Sequence, residues 1–149
     1  MFVPRSSNYK NKVEHSFARQ EITQTLNMKI DDIAPGQVIL SMPYIKAYTQ
    51  QHGFLHAGII ATGLDNACGY AAFSLMADEA SVLTVEFKTN LLAPAKGQTF
   101  QFTAKVKKAG RTLTFVEAEA HAITGNNRKL IATMSATMMA IINRDDVQE

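Results

Sequence analysis

The chain has 149 residues, 46% of them hydrophobic and 19% charged, with a formal net charge of +2. That length suits a single domain with a full core, the hydrophobic share excludes disorder, and so small a charge gives no reason to expect nucleic acid or a membrane surface as a partner. A lone cysteine, Cys68, excludes an internal disulfide framework and a cysteine-based zinc cluster, and its Ala and Gly neighbours mark it as a small core residue.

Residues 1–10 contain no apolar run, so they do not read as a secretory signal. Over residues 8–26, Val13, Phe17, Ile22 and Leu26 alternate with charged positions, which predicts one amphipathic helix lying on a sheet. Two short extended segments follow at 28–33 and 37–44, separated by the Ala34-Pro35-Gly36 turn, and 45–55 reads as loop. Residues 57–76 predict a central helix that is apolar nearly all round, as a helix enclosed by other structure would be. The stretch 57–77 is long enough to imitate a membrane span. Asp65, Asn66, Gly58, Gly63 and Gly69 inside it argue instead for a helix in a water-soluble core, and a cytoplasmic location is the expectation.

From residue 81 the period changes to two. Over 82–92, Leu83, Val85, Phe87 and Leu91 are expected on one face, with Thr84, Glu86, Lys88 and Asn90 on the other. A turn at 93–97 leads to a strand at 98–108, with Phe100, Phe102, Ala104 and Val106 on one face. Ala109-Gly110 reverses the chain into 111–124, and Gly125-Asn126-Asn127 reverses it again into 129–142. Residues 143–149 read as a solvated tail. The fold class is therefore α+β in one domain over 1–149: strands, one enveloped helix, then an antiparallel meander.

The chemistry concentrates in Gln50-Gln51-His52-Gly53-Phe54-Leu55-His56-Ala57-Gly58 and the helix after it. If that helix starts near His56, the amides of Ala57 and Gly58 have no intrahelical acceptor and carry the positive end of the helix dipole. Such amides suit a carbonyl oxygen that becomes an oxyanion, and Gly58 admits a ligand close to the backbone. Asp65 is the one acid in an apolar helix, with Ala61, Gly69 and Ala72 on its stripe leaving a groove down to the carboxylate. It reads either as a reacting group or as a partnered acid that pins a loop. Ala57 and Asp65 are eight residues apart, roughly 12 Å along the axis, whereas a base must lie within about 3 Å of the water it activates. The two cannot serve one carbonyl within a single chain. Two antiparallel copies of the helix would bring them together, which predicts a homodimer with composite sites.

His52-Gly53-x-x-His56-Ala57-Gly58 followed by Leu64-Asp65-Asn66-Ala67, with the run 84–97 and the hairpin 109–113, resembles the PaaI-like acyl-CoA thioesterases of the hotdog superfamily over roughly residues 15–142. The resemblance implies a hotdog fold, a curved antiparallel sheet around one long helix. It also implies edge-to-edge dimers that often dimerise again, and hydrolysis of an acyl-CoA without metal or redox cofactor. By position it makes Asp65 the acid that activates water or attacks the thioester, and the Ala57 amide the oxyanion donor, with His56 shaping the helix start. Gln50 stands where relatives often carry Asn, and Thr84 where a hydroxyl commonly lies near the reacting water. Gly58 and Asn90 would contact substrate; Gly110, Arg111 and Thr112 would meet the nucleotide end of CoA. The chain departs from the usual His-Gly-Gly at Ala57, where the amide survives but a methyl narrows the approach. Gln50 in place of Asn adds a methylene.

The remaining constellations are weaker. His52 and His56 are four apart, but Gly53 and the loop context spoil a helical metal site and no third ligand is evident. Lys105, Lys107, Lys108 and Arg111 form a basic strip that reads either as a solvated face or as a contact for CoA phosphates. His15 and His121 look incidental, and Met134, Met138 and Met139 read as core filler. A hotdog dehydratase would need a helix Glu that is absent here. A non-catalytic acyl-CoA binding module is the other alternative. Phe54, Tyr70 and Phe73 are candidate acyl-pocket residues by position.

Overall fold

In the computed structural model, which describes residues 2–147, the predicted first helix is two: α1 (Tyr9–Arg19) and α2 (Glu21–Thr25). Gln20 between them is extended, with φ −82° and ψ 110°. The break turns the helical phase. Val13 and Leu26 are buried as the spacing predicts, but Ile22 is exposed and Thr23 takes the inward position. The Thr23 hydroxyl lies within donating reach of the carbonyls of Phe17 (3.0 Å) and Gln20 (2.7 Å) at the end of α1, which also accept from the Gln20 and Thr23 amides.

Strands β1 (Lys29–Ala34) and β2 (Gln37–Pro43) form a hairpin through Gly36, which sits at φ 74°. The predicted loop holds one short 3-10 turn, Lys46–Tyr48. Helix α3 (Ala57–Phe73) is three residues shorter at its C-terminal end than the apolar run 57–76. Its last carbonyls and the turn after it are held by the side chains of its C-cap and of α1. The Ser74 hydroxyl donates to Ala71 and accepts from the Gly36 amide, while Lys12 Nζ donates to the carbonyls of Met76 (2.8 Å) and Ala77 (2.9 Å). No helix among the described residues is long and apolar enough to cross a membrane.

The meander follows as β3 (Ala80–Leu91), β4 (Thr99–Ala109), β5 (Leu113–Thr124) and β6 (Asn127–Ile142). All pairings are antiparallel, in the order β1-β2-β4-β5-β6-β3. The sheet curls around α3, which buries Ile60, Leu64, Ala67, Cys68 and Ala71 against Leu40, Met42, Phe100, Phe102 and Met138. This is the hotdog architecture. Residues 143–146 are exposed, as expected of the tail, but Val147 is half-buried and its carbonyl accepts from the Ser81 hydroxyl at 3.2 Å, while Gln148 and Glu149 lie outside the described residues.

Gly63 is where the helix meets the sheet most closely. A Cβ there would lie 2.4 Å from the Phe102 ring, and that ring is fully buried. We expect Gly63→Ala to lower unfolding stability by about 1–3 kcal/mol despite its better helix propensity, because overpacking outweighs the backbone gain. Urea denaturation checks this; an unchanged or raised midpoint would show that the sheet yields freely.

Strand β3 corrects the predicted alternation. Thr84 pairs with Met138 and Glu86 with Thr137, so Val85 is an extra residue in a β-bulge. The bulge reverses the parity of everything after it. Thr84 and Phe87 therefore line the helix side together, whereas Leu83 lies across from Thr84, and Glu86 and Asn90 bond on the convex side to Thr137 and Thr133. β3 is also an edge strand, yet Leu83, Val85, Phe87 and Leu91 are all exposed, Val85 by 52% and Leu91 by 58%.

Candidate active site

His56 is the N-cap of α3. Its φ of −61° and ψ of 139° are extended, and its carbonyl accepts from the amides of Ile59 and Ile60. The ring folds back so that Nδ1 accepts from the Gly58 amide at 2.9 Å, which places the proton of the neutral imidazole on Nε2. Both the Ala57 and Gly58 amides were expected to be open. In the structure Gly58 is capped, and the Ala57 amide alone lacks an acceptor among the described residues. The preceding loop is held by hydrogen bonds from Leu55 N to Ala95 O and from His56 N to Tyr48 O. Gln50 stays within this loop: its amide bonds to the Phe54 carbonyl and its Oε1 accepts from the His52 amide. Gln50 and Ala57 line a cavity of about 440 Å³ with Phe54, Ile60, Leu91 and Leu92.

Asp65 belongs to a different cavity, of about 580 Å³, lined by α1–α2, the Ala61/Thr62/Asp65/Asn66/Gly69 face of α3, and Val82, Thr84 and Phe87 of β3. Of the predicted groove, Ala61 and Gly69 do line this cavity, but Ala72 is fully buried in the core and does not. The Thr84 hydroxyl donates to Asp65 Oδ1 at 2.8 Å, leaving Oδ2 to face other groups. Burial pushes the Asp65 carboxyl above its ordinary value, and the Thr84 hydrogen bond opposes that rise. Burial, reinforced by the Asp65 charge, drives the Cys68 thiol upward, so it stays a protonated core residue.

The two cavities share no lining residue. Asp65 and Thr84 meet; Ala57, His56 and Gln50 cluster separately one helix-half away. Gly58 borders the Asp65 cavity. Asn90 is brought to neither: on the convex face its Nδ2 bonds to Thr133 Oγ1 (3.4 Å), beside the Lys107–Glu117 ion pair. Gly110, Arg111 and Thr112 form the β4–β5 connection, with the Gly110 amide on Leu113 O and the Thr112 carbonyl taking the Ala140 amide, both at 2.8 Å. Gly110 and Arg111 border a third cavity, of about 200 Å³. Phe54 lines the Ala57 cavity and Tyr70 the Asp65 cavity, but Phe73 is fully buried beneath Lys12 Nζ and lines neither.

Three features of the site escaped the sequence. The histidine cap departs from the Ser/Thr/Asp/Asn pattern by which caps are recognised. The bulge at Val85 leaves no mark in a strand whose residues alternate without interruption. Asn66 lines the acid's cavity with its Nδ2 on Thr62 O, and a neighbour of the singled-out Asp65 with a buried amide was there to be noticed.

The model of the thioesterase superfamily matches residues 52–128, from the loop ahead of α3 to the start of β6. A protein of Saccharolobus solfataricus, named provisionally as an esterase, is 32% identical over 108 residues, covering 72% of this chain and 76% of its own. Human acyl-coenzyme A thioesterase 13 is 36% identical over 89 residues, 58% of this chain and 61% of that enzyme. Among solved structures, a thioesterase family protein from Silicibacter pomeroyi superposes with a TM-score of 0.90 at 59% identity, covering 91% of this chain and 99% of that one. The E. coli PaaI protein from the phenylacetic acid degradation operon shares the fold, with a TM-score of 0.82 at 17% identity over 92% and 96% of the two chains. The chain belongs to the thioesterase superfamily and is a hotdog-fold thioester hydrolase.

Proposed function

We propose that the chain hydrolyses an acyl-CoA to the free acid and CoA, in the cytoplasm, at two equivalent sites each built from both subunits of a homodimer. The observation that carries this reading is the placement of the half-sites along β3. Thr84, bonded to Asp65, lies toward one end of this edge strand; Leu91, bordering the Ala57 cavity, lies at the other. Antiparallel pairing of β3 with its copy about a two-fold near Phe87 sets the Thr84 end of one subunit against the Leu91 end of the other. The pairing also covers the exposed apolar residues of an otherwise open edge. A further dimerisation into a tetramer is compatible with this arrangement.

In such a site the Ala57 amide of one subunit donates to the thioester oxygen and is already oriented when charge develops there. The Asp65 carboxylate of the other takes a proton from water through Oδ2 while Thr84 holds Oδ1. The hydroxide adds to the carbonyl carbon, the C–S bond breaks, and the thiolate leaves with the proton returned from Asp65. His56 contributes by keeping the helix start in shape, and Gln50 by lining the carbonyl side. Gly110, Arg111 and Thr112 would meet the nucleotide. The reaction calls for no metal or redox group, since a thioester carbonyl is already activated.

The decisive assay is thiol release across short, medium, long and aromatic acyl-CoAs. Turnover of at least one series is expected, and tight binding without thiol release from any would leave only a binding module. Thr84→Val offers a finer check. Loss of the hydroxyl removes the one interaction that lowers the Asp65 pKa, so the base form appears only at higher pH. The acid limb of the kcat/KM profile should move upward relative to wild type; an unmoved limb would separate Thr84 from the ionisation that governs the rate.

A further inference from the structure

The N-terminal arm, residues 2–8, is anchored at two points that leave one side chain in a particular place. Phe2 packs over Gly36, close enough that a Cβ on that glycine would lie 2.9 Å from the ring. Ser6 is fully buried, and its hydroxyl accepts from the Asn8 amide at 3.0 Å. Between these anchors the Arg5 amide bonds to Leu75 O (3.3 Å), and the exposed guanidinium donates to Gly110 O in the β4–β5 connection at 3.5 Å. A contact of that length holds the group weakly and leaves its other N–H donors for something else.

The cavity of about 200 Å³ beneath it has Arg5 and Arg111 on its rim and no acid among the described residues that line it. Neither guanidinium takes part in an ion pair among the described residues. Its floor is apolar, from Phe2, Leu75 and Ile142. The cavity also lies at the reacting end of the sheet. Thr84 and Thr114 flank Met138 on β6, and Ala140, which borders the cavity, is two residues further on, about 7 Å along the strand. A ligand whose thioester sits beside Asp65 can extend its phosphate-bearing end there.

We propose that the N-terminal arm is part of the substrate site, with Arg5 joining Arg111 to hold phosphate groups of the CoA nucleotide over this apolar floor. The assignment rests on the acyl-CoA reading above and extends it to a segment outside the matched family region. A planar guanidinium offers a phosphate two parallel hydrogen bonds, which a scattered surface lysine does not.

The test is calorimetric binding of free CoA and of pantetheine, which lacks the nucleotide and its phosphates, to wild type, Arg5→Ala and Lys29→Ala. Lys29 is an exposed cation at the start of β1, on the far edge of the sheet from β3, and controls for the loss of one positive charge. We expect Arg5→Ala to weaken CoA binding at least fivefold, Lys29→Ala to leave it within twofold, and pantetheine affinity to be the same in all three. The CoA advantage over pantetheine should also shrink with added salt, more steeply in wild type than in Arg5→Ala, where Arg111 alone remains. Equal CoA affinity in wild type and Arg5→Ala, equal losses for CoA and pantetheine, or no CoA binding by wild type would each overturn the proposal. Because binding is read without turnover, CoA bound through Arg5 by a protein that releases no thiol would refute the hydrolase mechanism and leave the arm's role standing.

Discussion

Asp65→Asn is expected to lower kcat by about 10³-fold with little change in CoA affinity, the range associated with losing a positioned general base. The substitution keeps shape and still offers Thr84 an oxygen, so geometry is preserved while proton acceptance is lost. Its second effect has the opposite sign for stability. Burial raises the folded-state pKa of Asp65 above its ordinary 3.8, so the fold favours the protonated carboxyl. That contribution is fully present below the unfolded pKa and is lost as pH rises through the folded one. The Asn variant has no such loss. Its thermal midpoint should therefore equal or exceed that of wild type at neutral pH, with the gap closing toward acid. Thiol-release kinetics and thermal melts from pH 3 to 8 examine both halves. Full activity in the variant would dispose of the mechanism, and a variant that melts below wild type at neutral pH would mean that the carboxylate stabilises the fold after all.

Ala57→Pro removes one N–H and little else. Proline is well accepted at the first position of a helix, where the amide has no intrahelical partner. The residue before it must be extended, and His56 already is, at ψ 139°. We expect kcat to fall by about 10²–10³-fold, the usual effect of deleting an oxyanion donor, with helix content unchanged by circular dichroism. Together the two variants report on the composite site. If Asp65 of one subunit serves the Ala57 amide of the other, random pairing of Asp65→Asn with Ala57→Pro chains makes half the dimers mixed, each with one intact site. About a quarter of wild-type activity should return on co-refolding. If each site lies within one chain, mixing restores nothing.

Most of the secondary structure was legible because its signals are local. The two-residue period of β4 and β5, the Gly-Asn turn and the apolar run of α3 depend only on which face each side chain presents. The errors have non-local causes. The α1–α2 break is stabilised by Thr23 bonding back to Phe17 and Gln20, a choice that burial on the sheet makes worthwhile. The Val85 bulge depends on register with Thr137 and Met138 of β6, more than fifty residues later in the chain. It decides that Phe87, and not Glu86, shares a face with Thr84.

The sequence by itself determined which groups are available: one acid in an apolar helix, a glycine-bearing helix start, a hydroxyl at Thr84, and a spacing of eight residues that forbids Ala57 and Asp65 from meeting in one chain. Helix rise is a constant of the backbone, so that exclusion required no coordinates. Tertiary structure alone decided which groups touch. It joined Thr84 to Asp65, took the Gly58 amide out of play with His56, turned Asn90 to the convex face, and laid Arg5 beside Gly110. Each of these depends on a strand register or on the path of a distant segment over the sheet, and contacts between residues far apart in the chain leave no periodicity to read.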